Sequence, residues 1–264
     1  MSGLVVIKLG GSILDERESK VSLIQDIVRL KENGLTPVVV HGGGKHIDRY
    51  LKQVGSAPRF VNGLRYTDAQ TMEVAEMVLS GLVNKDLVSE FEMNGSPAIG
   101  ISGKDMSIIT ASKLLSKGMD IGFVGQVDRV NTAAILKIID LGVIPVISPI
   151  SLSKEGVTLN INADYAAMAV AAALDAPIVY VTDVDGVYGD LNDKSTIYHQ
   201  LNQQQVASLI EEDVIKGGML PKVDCCIQGL ASGIEKVYMI NGQTSEGLSR
   251  CLLNGEKIGT LFIK

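Results

Sequence analysis

Short apolar runs alternate along the chain with longer stretches in which apolar residues recur every three or four positions. The runs Val5–Leu9 and Pro37–His41 show no polar alternation, which is typical of strands buried in a parallel sheet. Between them, residues 20–33 carry apolar side chains on one face, as an amphipathic helix does. Strand, helix and strand in this order predict a βαβ unit with parallel strands and a right-handed crossover.

The same pattern predicts further elements throughout the rest of the chain. The predicted helices are 45–54, 68–94, 132–141, 163–174, 203–211, 221–232 and 245–253. The predicted strands are 97–101, 143–148, 157–161, 177–182, 236–240 and 260–263, with short strands or a hairpin at 123–130. This order predicts an α/β fold, a three-layer αβα sandwich with helices on both faces of a mainly parallel, open central sheet. Residues 1–264 are expected to form a single domain with approximate lobes 1–150 and 151–264.

The predicted helix 68–94 is unusually long, and its apolar stripe covers more than one face. Such a helix has to bury more than one face. Two interpretations stay open: the helix forms a subunit interface, or it lies at the centre of the core of a single chain.

Composition and charge narrow the classes of partner. The chain has 264 residues, 46% of them apolar, and a formal net charge of −6 with acidic and basic residues interspersed. The absence of a basic stripe or basic amphipathic helix argues against nucleic acid and membrane surfaces as partners. No apolar run reaches ~18 residues and the N-terminus lacks the pattern of a secretory signal, so we expect neither a membrane span nor a leader.

The cysteines and histidines do not indicate a metal site. Cys225, Cys226 and Cys251 are odd in number and fit no zinc spacing. Adjacent cysteines are poor partners for each other, so we interpret these residues as buried or idle thiols in a reducing cytoplasm. The three histidines are scattered along the sequence.

Two glycine-rich turns follow predicted strands: Lys8-Leu9-Gly10-Gly11 and His41-Gly42-Gly43-Gly44. The carboxyl ends of strands are where open α/β sheets bind ligands, and glycine lets backbone N–H groups approach an anion. Neither turn is a Walker A loop or a G-x-G-x-x-G fingerprint, which argues against a P-loop kinase and a Rossmann dehydrogenase. Phosphate binding and plain turns both stay open, and Lys8 either faces a phosphate or extends into water.

Two later segments carry polar groups at helix starts. The segment Asn160-Ile161-Asn162-Ala163-Asp164 has two interpretations. In the structural one, Asn162 caps a helix and Asp164 lies in its first turn. In the functional one, Asn160 binds substrate and Asp164 lies between lysines. In Gly217-Gly218-Met219-Leu220-Pro221-Lys222, the lysine opposes the helix dipole, which indicates an anionic ligand unless the side chain is merely solvated.

Taken with Val61-Asn62-Gly63-Leu64-Arg65-Tyr66-Thr67-Asp68, these four segments resemble, in order and over almost the whole chain, the amino-acid kinase family. The resemblance implies the fold of that family and ATP-dependent phosphorylation of the side-chain carboxylate of N-acetyl-L-glutamate, a step of arginine biosynthesis. Two alternatives stay open: an acid kinase of this fold acting on a carrier-linked aminoadipate, and a non-catalytic nucleotide-binding regulator.

The resemblance also implies roles for individual residues. Lys8 and Lys222 would contact the phosphates and the transferred group, and Asp164 would orient both lysines. The residues implied to bind the acceptor are Gly43, Gly44, Arg65 and Asn160. The residues implied to bind the nucleotide are Gly10, Gly11, Asp183, Val184, Asp185, Gly186, Val187, Tyr188, Val214, Ile215 and Lys216. The implied cofactor is ATP with Mg²⁺ carried on the nucleotide, without a metal ligand from the protein.

Elementary chemistry agrees with that assignment, because a carboxylate acceptor with a pKa near ~4.3 is already ionised at neutral pH and needs no general base. The acceptor carboxylate and the triphosphate are both negatively charged and repel each other. Two lysines, a metal ion and backbone N–H groups that point at the phosphates can neutralise this charge. The resemblance assigns acceptor binding and dimerisation to lobe 1–150 and nucleotide binding to lobe 151–264. Since the chain begins almost at its first strand, without the helical extension of arginine-sensing hexamers, we expect a homodimer through helix 68–94 and weak arginine inhibition.

Overall fold

The computed structural model describes residues 3–264, and at residues 11 and 12 it describes the backbone alone. The strands are β1 (Leu4–Leu9), β2 (Thr36–His41), β3 (Phe60–Val61), β4 (Leu64–Arg65), β5 (Ala98–Ser102), β6 (Ile109–Ser116), β7 (Met119–Val130), β8 (Ile144–Ser148), β9 (Ile150–Leu152), β10 (Thr158–Ile161), β11 (Ile178–Thr182), β12 (Val187–Asp190), β13 (Asp193–Tyr198), β14 (Gln200–Asn202), β15 (Lys236–Asn241) and β16 (Thr260–Ile263). The helices are α1 (Gly11–Leu14), α2 (Arg17–Glu32), α3 (Gly44–Gln53), α4 (Ala69–Glu76), α5 (Asn84–Met93), α6 (Thr132–Ile139), α7 (Ala163–Ala173), α8 (Gln203–Glu211), α9 (Met219–Ala231) and α10 (Gly247–Leu252). A π-helical segment, Met77–Val83, joins α4 to α5, and Asp105–Ser107 forms a short 3₁₀ turn.

The chain divides into two compact units. The first unit contains the chain up to Pro37 together with Ala171–Lys264, and the second contains Val38–Val170. These divisions differ from the lobe boundary near residue 150 that the sequence suggests. The assignment of acceptor binding and nucleotide binding to separate lobes stays a prediction.

In the first unit, five strands lie in the order β14-β16-β15-β11-β1. β1 pairs in parallel with β11, and β11 in parallel with β15, whereas β15 and β16 are antiparallel. The register places Lys8 opposite Tyr180 and Thr182 opposite Asn241. Because neighbouring parallel strands end at the same edge of the sheet, the loops that follow β1, β11 and β15 share that edge.

In the second unit, β2, β8 and β5 form parallel pairs in that order, and β10, β7, β6 and β9 close into a small barrel. The predicted mainly parallel α/β sheet is confirmed, but the barrel is an addition. The short strands expected at 123–130 are the last eight residues of the twelve-residue strand β7, which pairs antiparallel with β6. The sequence of β6 mixes serine, threonine and lysine with its apolar residues, so no apolar run indicates it.

The long helix expected over 68–94 is present, with Asp68 as its cap. The Asp68 carboxylate accepts a hydrogen bond from the Thr71 backbone N–H (2.8 Å). One face enters the core through Leu87 and Phe91, while the opposite face leaves Met77 63% exposed. The middle of the helix widens into the π-helical segment, a local irregularity that often occurs at functional sites. Within residues 3–264, no helix has both the length and the apolar character that a bilayer span requires.

Candidate active site

The sheet edge of the first unit carries Lys8 and the first glycine turn. The Gly10 N–H donates to Val181 O (3.2 Å), so the turn after β1 lies against the end of β11. A Cβ built on Gly10 would lie 2.9 Å from that carbonyl oxygen and 3.7 Å from Lys8 Nζ. Glycine is therefore required where the chain passes this close to its neighbouring strand.

Lys222 reaches the same edge from a different element. It is the fourth residue of α9, and its ammonium group forms a short charged hydrogen bond with Asp183 Oδ1. Asp183 follows the last residue of β11, so this contact brings Lys222 to the strand beside β1. The sequence resemblance assigns the orienting role to Asp164, which belongs to the second unit, and that role stays a prediction.

The loop 183–188 is fixed mainly through Asp185. Its carboxylate accepts hydrogen bonds from Asn241 Nδ2 (2.7 Å) and from the Tyr188 hydroxyl (2.9 Å). The Asn241 hydrogen bond keeps the pKa of Asp185 below its usual value, whereas burial raises the pKa of Tyr188. The carboxylate is therefore held in its ionised form. Asn241 was not a sequence candidate, because one asparagine at a strand end carries no distinguishing pattern.

The other segment implied to bind the nucleotide follows α8 in the same unit. Ile215 is buried, while Lys216 forms an exposed ion pair with Asp213 (2.7 Å). The nucleotide-binding roles of Val214, Ile215 and Lys216 stay predictions, as do those of residues 183–188 and of Gly10 and Gly11.

In the second unit, the glycine turn between β2 and α3 packs against the π-helical segment. A Cβ built on Gly43 would lie 2.8 Å from Leu79 Cδ2 and 3.2 Å from Val83 Cγ2. Any side chain at this position would push the turn away from the helix. The π-helical segment thus sets where the backbone of Gly43 and Gly44 lies.

Arg65 is held by contacts on several sides. Asn62 and Gly63, both with positive φ, form the tight turn that brings β4 back against β3 and places Arg65 at the strand end. Arg65 Nη1 contacts Asp48 Oδ1 at 2.5 Å, and Nη2 donates to Gly44 O at 3.1 Å. The guanidinium carbon also lies 4.8 Å from the centroid of the Phe60 ring. These contacts fix the guanidinium at the start of α3, beside the glycine turn.

Asn160 joins the same cluster through Thr67. Asn160 Nδ2 donates to Thr67 Oγ1 (3.3 Å), and that hydroxyl donates to Arg65 O (2.8 Å). Three of the four residues implied to bind the acceptor, Gly44, Arg65 and Asn160, are therefore connected by hydrogen bonds. Sequence analysis assigns no role to Thr67 itself, although this residue lies inside the motif that carries the resemblance.

Asp164 lies in the first turn of α7. Its backbone N–H donates to Asn162 Oδ1 (2.8 Å), so Asn162 acts as the local cap that the sequence suggests. The predicted role of the Asp164 carboxylate between the two lysines stays a prediction.

A buried polar network that sequence analysis missed supports the second glycine turn. Asn84 Nδ2 donates to His41 Nε2 (3.0 Å) and to Val146 O (2.9 Å). The other ring nitrogen of His41 lies 2.8 Å from Gly42 O, and burial lowers the pKa of His41 to about 4. No motif distinguishes Asn84 from the other polar residues of this helix, so the sequence gives no signal for the network.

Among the described residues, no three His, Cys, Asp or Glu side chains lie close enough together to hold a metal ion.

Comparison with known proteins decides the family. The sequence profile of the amino acid kinase family matches residues 3–241. The chain belongs to this family. It is 44% identical over 259 residues to the acetylglutamate kinase of Clostridium kluyveri, covering 98% of this chain and 91% of that protein. It is also 40% identical over 268 residues to the acetylglutamate kinase of Methanococcus maripaludis, with the same coverages, 98% and 91%.

A solved structure has the same fold. The N-acetylglutamate synthase of Neisseria gonorrhoeae, complexed with coenzyme A and N-acetyl-glutamate, aligns with a TM-score of 0.85 at 27% identity. The alignment covers 99% of this chain and 59% of the synthase chain. The predicted amino-acid kinase fold is confirmed.

Proposed function

We propose that this family member is an N-acetylglutamate kinase. It transfers the γ-phosphoryl group of ATP to the side-chain carboxylate of N-acetyl-L-glutamate, giving N-acetyl-L-glutamyl 5-phosphate for arginine biosynthesis. The observation that carries this proposal is the 40–44% identity to acetylglutamate kinases along 98% of the chain.

The first unit supports the nucleotide side of the proposal. Lys8 lies on β1 and Lys222 contacts the residue that follows β11, so two ammonium groups belong to neighbouring strand ends. Phosphoryl transfer depends mostly on positioning and on neutralising charge, which ammonium groups supply without accepting a proton. Glycine at the turn after β1 leaves room for a phosphate to approach the backbone.

ATP would be held by these two lysines, by the turn at Gly10 and by the loop 183–188. Mg²⁺ would arrive bound to the triphosphate and would neutralise charge on the phosphates when bound. Because Asp183 is the group that contacts Lys222, it sets the direction from which that ammonium meets the nucleotide. The carboxylate of Asp185, fixed by Asn241, is available as an acceptor for a hydroxyl of the nucleotide.

The second unit supports the acceptor side. Arg65 provides a planar guanidinium suited to a carboxylate, and it is already oriented by Asp48 and by Gly44 O. Asn160 offers an amide that is linked through the Thr67 hydroxyl to the backbone carbonyl of Arg65. The acceptor carboxylate is ionised at neutral pH, so the site needs donors and cations and no general base.

We further propose a cytoplasmic homodimer that assembles through the exposed face of the long helix. Met77, Leu82 and Met93 are exposed on this helix, at 63%, 42% and 72%. Burying such side chains in a subunit interface is favourable at roughly 25 cal/mol per Å² of apolar surface. All three cysteines are buried thiols outside any disulfide, which suits a reducing compartment.

The experiment is an ADP-release assay on the purified protein with ATP and Mg²⁺, run separately with N-acetyl-L-glutamate, L-glutamate, L-aspartate and carbamate. The expected result is ADP release that depends on N-acetyl-L-glutamate and is at least ~100-fold slower with each of the other acids. Equal rates with glutamate, or no release with N-acetyl-L-glutamate while ATP still binds, would overturn the proposal. The latter outcome would indicate a nucleotide-binding regulator.

A further inference from the structure

Thr67 is fully buried and contacts two of the residues implied to bind the acceptor, Arg65 through its backbone and Asn160 through its side chain. Its hydroxyl donates to the carbonyl oxygen of Arg65 (2.8 Å) and accepts from Asn160 Nδ2 (3.3 Å). One oxygen atom therefore joins the strand end that carries the guanidinium to the strand that carries the amide. Arg65 and Asn160 are far apart in sequence, and this atom links them directly.

The backbone of Thr67 is held as firmly as its side chain. Its N–H donates to Ile121 O (3.1 Å), and its carbonyl oxygen accepts from the Phe123 N–H (2.6 Å). Gly122, between those two residues, has φ +81°, and a Cβ built there would lie 2.0 Å from Thr67 O. β7 therefore packs directly against the Thr67 backbone and leaves it no room to shift.

Asp68, the next residue, fixes the chain on the C-terminal side of Thr67. Asp68 caps α4, so the chain enters the long helix directly after Thr67. Thr67 forms hydrogen bonds with β4, β7 and β10, and it directly precedes the residue that caps α4. A small displacement of this residue would change the separation of Arg65 and Asn160.

We propose that Thr67 is a positioning residue that sets the spacing between Arg65 and Asn160 and thereby the affinity for the acceptor. This inference rests on the proposed function, in which Arg65 binds a carboxylate of the acceptor and Asn160 offers its amide to the same molecule. Both contacts can form together only when their spacing matches the length of the acceptor. Preorganising that spacing removes an ordering cost that would otherwise reduce affinity.

The test compares three side chains at this position in the full-length protein. Thr67→Val keeps the shape but leaves Arg65 O and Asn160 Nδ2 without their shared partner. We expect the KM for N-acetyl-L-glutamate to rise at least ~10-fold, while the KM for ATP changes less than ~2-fold. Thr67→Ser retains the hydroxyl and should bring the acceptor KM back to within ~3-fold of the wild-type value.

Thr260→Val is the matched control. Thr260 is also fully buried, and its hydroxyl likewise donates to a backbone oxygen, Tyr198 O (2.7 Å), and accepts from a neighbour, the Val187 N–H (2.9 Å). This variant removes the same buried hydroxyl from the first unit. Its acceptor KM should stay within ~2-fold of wild type even if its thermal midpoint falls as far as that of Thr67→Val.

The outcomes separate this inference from the proposed function. If the wild-type protein does not phosphorylate N-acetyl-L-glutamate, the proposed function fails. If the wild type is active, any of three results would overturn the role of Thr67. The KM values for the acceptor and for ATP could rise equally in Thr67→Val, or Thr67→Ser could fail to restore the affinity for the acceptor. The acceptor KM could also rise as much in Thr260→Val as in Thr67→Val. Should Thr67→Val not fold, Thr67→Cys, with a weaker donor, carries the same expected rise in acceptor KM.

Discussion

The buried histidine beside the second glycine turn makes the stability of this protein depend on pH in a calculable way. Asn84 Nδ2 can only donate, so His41 Nε2 must accept, and the single proton of the neutral ring resides on Nδ1, which donates to Gly42 O. Adding a second proton at Nε2 would break the Asn84 hydrogen bond. Burial, with a smaller contribution from the positive charge of Lys85, lowers the pKa of His41 to about 4.

The folded and unfolded chains bind a proton at His41 with different affinities, and this difference sets the direction in which stability changes with pH. His41 has a pKa near 6.5 when unfolded and about 4 when folded, so the unfolded state takes up the proton first as the pH falls. This stabilising contribution is complete above the unfolded pKa and is lost progressively as the pH falls towards the folded pKa. Each unit of difference between the two pKa values is worth about 1.36 kcal/mol, so the full loss in the free energy of unfolding is roughly 3 kcal/mol. Roughly 2 kcal/mol of this loss has occurred by about pH 5.

The assay is urea unfolding at about pH 7 and about pH 5, for the wild type, His41→Gln and His199→Gln. Carboxylates contribute to the pH dependence of all three proteins and cancel in the comparison. We expect His41→Gln to lose about 2 kcal/mol less free energy of unfolding between these pH values than the wild type loses. His199→Gln, which removes an exposed histidine, is the matched control and should follow the wild-type profile. Identical pH dependence in wild type and His41→Gln would refute the reasoning.

Three further predictions concern catalysis and assembly. Lys8→Arg and Lys222→Arg should each lower kcat at least ~100-fold, because the broader guanidinium cannot place its charge where the compact ammonium lies; near-normal turnover of folded variants would exclude these roles. Arg65→Ala should raise the KM for the acceptor far more than the KM for ATP, and equal changes in steady-state kinetics would count against an acceptor anchor. Light scattering should report a dimer for the wild type and a monomer for Met77→Asp, because a charge cannot be buried unpaired in an apolar interface; a wild-type monomer would contradict the proposed interface.

Sequence reasoning worked best where local pattern and tertiary structure agree. The helix at 203–211 and the strand at 260–263 match the observed bounds of α8 and β16. Both are set by local signals: Asn202 and Gln205 form a capping box at the start of α8, and β16 begins directly after Gly259, which has positive φ. The alternation of apolar runs with amphipathic stretches was sufficient to predict a parallel α/β fold.

The barrel could not be predicted in the same way. β6 and β9 are recognisable only through their pairing with β7 and β10, and pairing between distant segments leaves no periodic trace in the sequence. Within the site, local motifs identified Arg65 and Asn160 but not the threonine that joins them. The Asp183 contact with Lys222 depends on how a loop after β11 meets the start of α9, which no motif encodes.

The proposed kinase activity requires the formation of a carboxyl–phosphate bond on N-acetyl-L-glutamate. That bond can be measured by incubating the protein with ATP, Mg²⁺ and the acceptor in the presence of hydroxylamine, which converts an acyl phosphate into a hydroxamate that forms a coloured complex with ferric iron. We expect hydroxamate formation that requires both substrates and falls at least ~100-fold in Lys222→Arg. ADP release without hydroxamate, or hydroxamate formation undiminished in that variant, would contradict this expectation.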